Sequence, residues 1–226
     1  MRFWRLDLGG VDPLLLALAA EMVRAGARIW DVGANVGLFA FAAAYHAGPS
    51  GRVLAVEPDA WLAGLLQRSA ELPARNHAPV AVLPAAVAQV VGLAELRIAA
   101  RGRAANYLQG SAPSSQAGGS RAAQATVTVT LDWLLDHWGS PAVLKLDVEG
   151  AEVSALSGGR RLLAEARPTI LCEVAAPNSG AVGEILRGYD YACFDAAAPR
   201  CGPLAEPPWN TLAVPAERAG AALGRR

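Results

Sequence analysis

Apolar and polar positions along this chain fall into short blocks that switch between two periods. Residues 13–25 keep helical spacing and close at Gly26; Asp12 and Pro13 read as an N-cap and a first-turn proline. Arg28 to Val32 is a short apolar run bounded by turn residues, which predicts a first strand. Gly37 to Tyr45 is apolar on most sides, with Leu38, Phe39, Phe41 and Ala42, and reads as a buried helix. Gly51 to Pro58 predicts a second strand ending in Glu57 and a proline. Trp61, Leu62, Leu65, Leu66 and Leu72 then return to helical spacing, and Val80 to Val87 predicts a third strand.

The second half repeats the alternation. Glu95 to Ala99 reads as a short added strand, with Gly92 breaking the run before it. Thr126 to Thr130 alternates as a half-exposed strand does, and a short helix over Leu131 to His137 follows. Ala142 to Val148 and Thr169 to Val174 predict two further strands. Between them lies a helical pattern through Val153, Leu156, Leu162 and Leu163, interrupted at Gly158-Gly159. Ala181 to Arg187 is helical, and Tyr189 to Asp195 and Thr211 to Val214 read as a closing strand pair. Successive βα units predict an α/β fold with a doubly wound, mainly parallel sheet and helices on both faces. The stretch 100–125 stands apart, being small, polar and glycine-rich. A structureless loop of that length is either a surface insertion or a mobile lid over a site.

Composition narrows the class. A chain of 226 residues fits a single domain, 1–226, and 53% hydrophobic against 18% charged residues excludes a disordered chain. A formal net charge of zero leaves no global footprint for a nucleic-acid polyanion. Cys172, Cys193 and Cys201, odd in number and widely spaced, form neither a disulfide framework nor a zinc knuckle; Cys172 and Cys193 read as buried thiols. Arg2 and Arg5 before Leu14 to Ala20 have the outline of a secretory signal, but Asp7 and Asp12-Pro13 interrupt it, so a cytoplasmic protein is expected. No apolar run approaches a membrane span.

The chemistry concentrates at Asp31-Val-Gly-Ala-Asn-Val-Gly37, a strand end followed by a glycine turn and a helix. The turn has no lysine for a phosphate-binding loop. Asn35 stands where a dinucleotide fingerprint has its middle glycine, and Asp31 would repel a diphosphate. An acid beside the turn suits a cationic ligand, and S-adenosylmethionine carries a sulfonium and an ammonium. Glu57, ending the neighbouring strand, suits ribose hydroxyls, with Pro58 and Asp59 along the adenine edge. Gly33 permits close backbone approach, Gly37 close helix packing, and Asn35 an unusual backbone angle. Ala86, on the third strand, is counted on the cofactor side.

Asp31 to Gly37, Val56-Glu57-Pro58, Leu144-Lys-Leu-Asp147-Val-Glu149-Gly150-Ala-Glu152 and Cys172-Glu173 together resemble the FkbM-type methyltransferases, with Thr130-Leu131-Asp132, Gly158 and Pro168 in accord. The resemblance implies a Rossmann-like sheet of seven strands whose last is antiparallel. It implies S-adenosylmethionine as cofactor and O-methylation of a hydroxyl on a small molecule or glycan. A nucleic-acid methyltransferase, or a Rossmann-like protein that binds NAD or acts without catalysis, remain the alternatives. Neither the acceptor nor the oligomeric state is legible.

Methyl transfer to a hydroxyl needs in-line positioning and a proton acceptor. The candidates are the strand-end acids Asp147, Glu149 and Glu173, with Asp147 counted on the cofactor side as well. Lys145 shares a strand face with Asp147 and either orients it or makes a salt bridge. Glu152 reads as a first-turn helix acid. Clustered carboxylates suit magnesium or calcium, but strand-end position alone supports this and no metal ligands are assigned. His46, His77 and His137 read as surface or capping residues, and Trp61, Trp133 and Trp138 as core.

Overall fold

The structure, a computed structural model, describes residues 12–72, 75–111 and 117–223. The segment with Arg2, Arg5 and Asp7 lies outside these, as do residues 112–116 of the glycine-rich stretch.

The elements follow the alternation read from the sequence. They are α1 (Pro13–Met22), β1 (Arg28–Val32), α2 (Leu38–Ala47), β2 (Arg52–Val56), α3 (Ala60–Ala70), β3 (Val80–Leu83), β4 (Ala86–Val87), β5 (Gly92–Ala99), β6 (Tyr107–Leu108), β7 (Ser120–Val129) and α4 (Leu131–Trp138). Then come β8 (Val143–Leu146), α5 (Glu152–Ser157), β9 (Thr169–Glu173), α6 (Ser179–Gly188), β10 (Tyr191–Asp195), β11 (Asn210–Pro215) and α7 (Ala216–Leu223). Asp12 caps α1 as expected, its Oδ1 accepting from Leu15 N at 2.9 Å.

Seven strands form one sheet in the order β10-β11-β9-β8-β1-β2-β3. β3, β2, β1, β8 and β9 pair in parallel, while β11 is antiparallel to both β9 and β10 and separates them. The two-residue period of the strands divides the core. Ile29, Val53, Ala55, Val143 and Leu171 pack under α1 and α2. Trp30, Val32, Leu54, Val56, Leu144, Leu146, Ile170 and Cys172 pack under α4, α5 and α6. Both faces are apolar because both are covered.

The middle of the chain differs from the expectation. The third strand does not run from Val80 to Val87. Pro84 cannot donate to the ladder, and beyond it β4 leaves for a second sheet of order β4-β7-β5-β6. Gly92 opens β5 rather than breaking it, pairing with Thr128. Much of 100–125 is ordered: a 3₁₀ turn spans Arg103–Ala105, β6 follows, and β7 begins at Ser120 to form a long hairpin with β5. Ala99, Ala105 and Ala117, with Tyr107 against them, give this arm a small core of its own, so alanine-rich composition there encodes close packing.

Candidate functional site

The carboxyl ends of β1, β2 and β8 open onto a cleft roofed by the hairpin arm, about 570 Å³ counting the space open to solvent at its mouth. Val32, Gly33, Asn35, Glu57, Pro58 and Ala85 to Val87 line one side, and Asp147, Val148, Glu149 and Ala151 another. Leu96, Arg103, Asn106, Tyr107 and Leu108 of the arm complete it. Ligand clefts of open α/β sheets lie at such strand ends.

The first turn is built around a close backbone crossing. Gly33 has φ +76, and a Cβ there would stand 1.7 Å from the carbonyl oxygen of Asp147, so only glycine fits between the ends of β1 and β8. Asn35 adopts φ 52, which asparagine tolerates. Its N–H donates to Glu57 Oε2 at 2.8 Å, and Asp59 N–H donates to Oε1 at 2.9 Å. The turn after β1 and the turn after β2 are thereby tied through one carboxylate. Burial pushes Glu57 up to about 7 even against these two N–H donors.

Glu149 lines the cleft two residues beyond Asp147, in the left-handed region at φ 46. Its Oε2 is buried with no hydrogen-bond partner among the described residues. Burial, then the charges of Asp147, Glu173 and Glu152, raise it to about 7. A non-glycine residue held at positive φ with an unsatisfied oxygen is strained in the manner of functional sites. The turn is pinned from behind: Gly150 N donates to Glu152 Oε1 at 2.7 Å, and Asn178 Nδ2 reaches Glu152 Oε2 at 2.5 Å and Gly150 O at 3.1 Å. Glu152 does stand in the first turn of α5, but its carboxylate braces the loop.

Other expected residues lie off the cleft. Asp31 is fully buried and reaches it only through Lys145, whose Nζ lies 3.7 Å from Asp31 Oδ1 and 3.0 Å from Asp147 Oδ2. Burial raises the Asp31 carboxyl, Lys145 opposing it. Burial works against the Lys145 ammonium, but Asp147 and Asp31 outweigh it and hold its pKa above the lysine range. The salt-bridge reading and the orienting reading of Lys145 therefore coincide. Gly37 does not line the cleft either; at φ +88 it gives way to the Phe41 ring and Leu66 of α3, packing helix on helix rather than helix on sheet. Asp59 does not line the cleft itself; it caps Trp61 N and Leu62 N and accepts from Arg103 and Asn106, which do. Glu173 ends β9 outside the lining, paired in register with Asn210; burial and then Asp147 raise it to about 7.

Arg103, Asn106, Tyr107 and Gln124 were missed from the sequence, because the arm shows no period and their partners are far away. Gln124 bridges Pro58 O and Ala60 N at 2.8 and 3.2 Å. His137 stacks on Trp133 at the surface, and Trp61 is 55% exposed under the Arg103 guanidinium rather than in the core. The cysteines are free, with Cys172 and Cys193 buried. Among the described residues no helix is long and apolar enough to cross a membrane, and no histidine, cysteine and carboxylate group could hold a metal ion.

The methyltransferase FkbM domain matches residues 31–193, from the first-turn acid to β10. The chain belongs to the FkbM methyltransferase family. The cofactor of this family is S-adenosylmethionine, and the glycine turn, Glu57 and the Asp147 to Glu152 loop all fall within the matched span. No curated protein matches the chain. Among solved structures, FkbM methyltransferase from Methylobacillus flagellatus is 17% identical, with a TM-score of 0.49 over 88% of this chain and 49% of that one. This FkbM-family chain thus spans about half the length of that protein. Precorrin-6y C5,15-methyltransferase from Geobacter metallireducens is 14% identical, with a TM-score of 0.48 over 84% of this chain and 75% of that one. Magnesium protoporphyrin IX methyltransferase from Synechocystis, solved with bound S-adenosylmethionine, is 14% identical, with a TM-score of 0.46 over 81% of this chain and 68% of that one.

Proposed function

We propose that this chain is an S-adenosylmethionine-dependent O-methyltransferase acting on a hydroxyl of a small molecule or glycan. The observation that carries the reading is Glu57: a carboxylate at a strand end, lining the cleft, each oxygen fixed by one backbone N–H and each keeping a lone pair for a ribose hydroxyl. Gly33 and Asn35 bring the backbone of the first turn alongside it, and Ala85 to Val87 with Leu96 and Leu108 offer an apolar slot for a purine. Asp147, with Lys145 behind it, puts a carboxylate at the methionine end. The residues present fit the cofactor, an acid at each end of the cleft suiting a ligand with hydroxyls and cationic groups. When bound, S-adenosylmethionine supplies an electrophilic methyl group whose transfer leaves a neutral thioether.

The acceptor chemistry falls to the protein. Of the three acids expected to serve as base, Glu149 fits best, because it lines the cleft, has a free buried oxygen and sits near 7. As the acceptor oxygen forms its bond to carbon, its proton passes to Glu149 Oε2. Asp147 stays paired to Lys145, and Glu173 adds charge from the end of β9. The test is calorimetry with S-adenosylhomocysteine. Micromolar binding by the wild type, weakened at least tenfold in Glu57→Ala, is expected, tenfold being 1.4 kcal/mol. Binding of NAD in place of S-adenosylhomocysteine overturns the reading.

A further inference from the structure

The arm that roofs the cleft is tied to the turn that follows β2. Asp59 is fully buried, and its carboxylate accepts from the α3 N-terminus on one side and from Arg103 Nη1 and Asn106 Nδ2 on the other, the Asn106 contact at 2.8 Å. Arg103 and Asn106 come from the 3₁₀ turn and the residue after it, and both line the cleft. The Arg103 guanidinium also lies 4.9 Å from the centre of the Trp61 ring, on the first turn of α3. Gln124 of β7 clamps Pro58 O and Ala60 N in the same turn. The residue between them, Asp59, is the one whose N–H fixes Glu57.

We infer that Arg103 is a positioning residue for the adenosine half of the cofactor, acting by locking the 103–108 wall onto the turn that carries Glu57. The inference rests on the cofactor reading above. Removing one partner of an ion pair to a buried carboxylate costs more than breaking a surface pair, because Asp59 has no water to replace the lost donor. Trp61 is exposed to solvent yet holds a cation over its face, so the stack fixes the plane of the guanidinium as well as its charge. Asn106 also accepts from Ala99 N at 2.9 Å, which carries the lock into β5. With the lock closed, Tyr107 and Leu108 line the same cleft as Glu57 and Pro58. With it open, Glu57 keeps its two N–H donors but loses the opposing wall. Affinity for the nucleoside falls while the Asp147 and Glu149 end is untouched.

The full chain is titrated with S-adenosylhomocysteine and, separately, with adenosine, as wild type, Arg103→Ala, Arg103→Lys and Trp61→Ala. Arg103→Ala is expected to weaken both ligands by the same factor, about tenfold, the range lost with one charge-assisted hydrogen bond. Arg103→Lys restores part of it, because the charge returns without the planar stack. Trp61→Ala, at an exposed position that the fold tolerates, weakens both ligands by a smaller factor. In methyl transfer, Arg103→Ala raises the cofactor KM with kcat retained at saturation. Unchanged binding in both Arg103→Ala and Trp61→Ala overturns the lock while leaving the cofactor reading standing. A loss seen with S-adenosylhomocysteine but not with adenosine overturns it too, placing the effect at the other end. Failure of the wild type to bind S-adenosylhomocysteine overturns the cofactor reading itself and the lock with it.

Discussion

Asp31 and Lys145 face each other in register on β1 and β8, on the side of the sheet that packs under α1 and α2. A lysine buried between two carboxylates is worth little as a stabilising pair, but removing it leaves an uncompensated charge. Lys145→Met should therefore cost about 3–5 kcal/mol in denaturant unfolding, the range for a broken buried pair, and Asp31→Asn in the same chain should recover part of that loss. A single methyl group at Gly33 has no room, since it would stand 1.7 Å from Asp147 O. Gly33→Ala is expected to abolish S-adenosylhomocysteine binding by calorimetry and to lower the melting temperature, because the ends of β1 and β8 must part. At Glu149 the expected change is chemical. Glu149→Gln keeps cofactor binding but lowers kcat by about 10²–10⁴-fold, the usual worth of a general base. The wild-type rate should rise with pH through about 7, as Glu149 loses its proton, and the glutamine variant should lose that limb.

At the scale of elements, the sheet and its turn were legible and the arm was not. Strands and helices of the βα units follow periods set by neighbours two to four residues away, and the glycine turn is a local motif. Glu57 was legible because it ends a strand adjacent to that turn. Arg103 carries no such signal: its partner Asp59 is 44 residues away, and the residues around it are small and aperiodic. The partners of Asp59 were illegible for the same reason, since a carboxylate just past a strand end can meet a ligand directly or hold a neighbouring element, and the arm supplies its partners here. Pro84 and Gly92 mark where the chain leaves one sheet and enters the second, though each reads locally as an interruption. Exchanging residues 101–118 for a short turn tests the arm as a unit. The β5–β7 ladder and the main sheet should survive, with the melting temperature within a few degrees, because among the described residues the arm's own core is small: Ala99, Ala105 and Ala117 with Tyr107 against them. Cofactor affinity should fall at least as far as in Arg103→Ala. Unchanged affinity in the shortened chain would show the roof to be dispensable.

The whole molecule gathers three carboxyls near one another at about 7: Glu57, Glu149 and Glu173. Their native pKa values are raised above the unfolded values, so the native state holds protons that the unfolded chain has released. The stability this gives is full below about pH 4.5 and is lost as pH rises through about 7. The melting temperature of the free protein should fall between pH 5.5 and 8, and Glu149→Gln should flatten the fall. β11 has a consequence of another kind. Among the described residues β10 has no ladder partner except β11, apart from one bridge between Cys193 and Leu204, and β9 has β11 on its outer side. As the nascent chain leaves the ribosome, β10 emerges before the strand that must wedge in beside it. Until residues 210–215 follow, β9 is a bare edge able to recruit a foreign strand, and the hazard of aggregation is concentrated in that interval of synthesis.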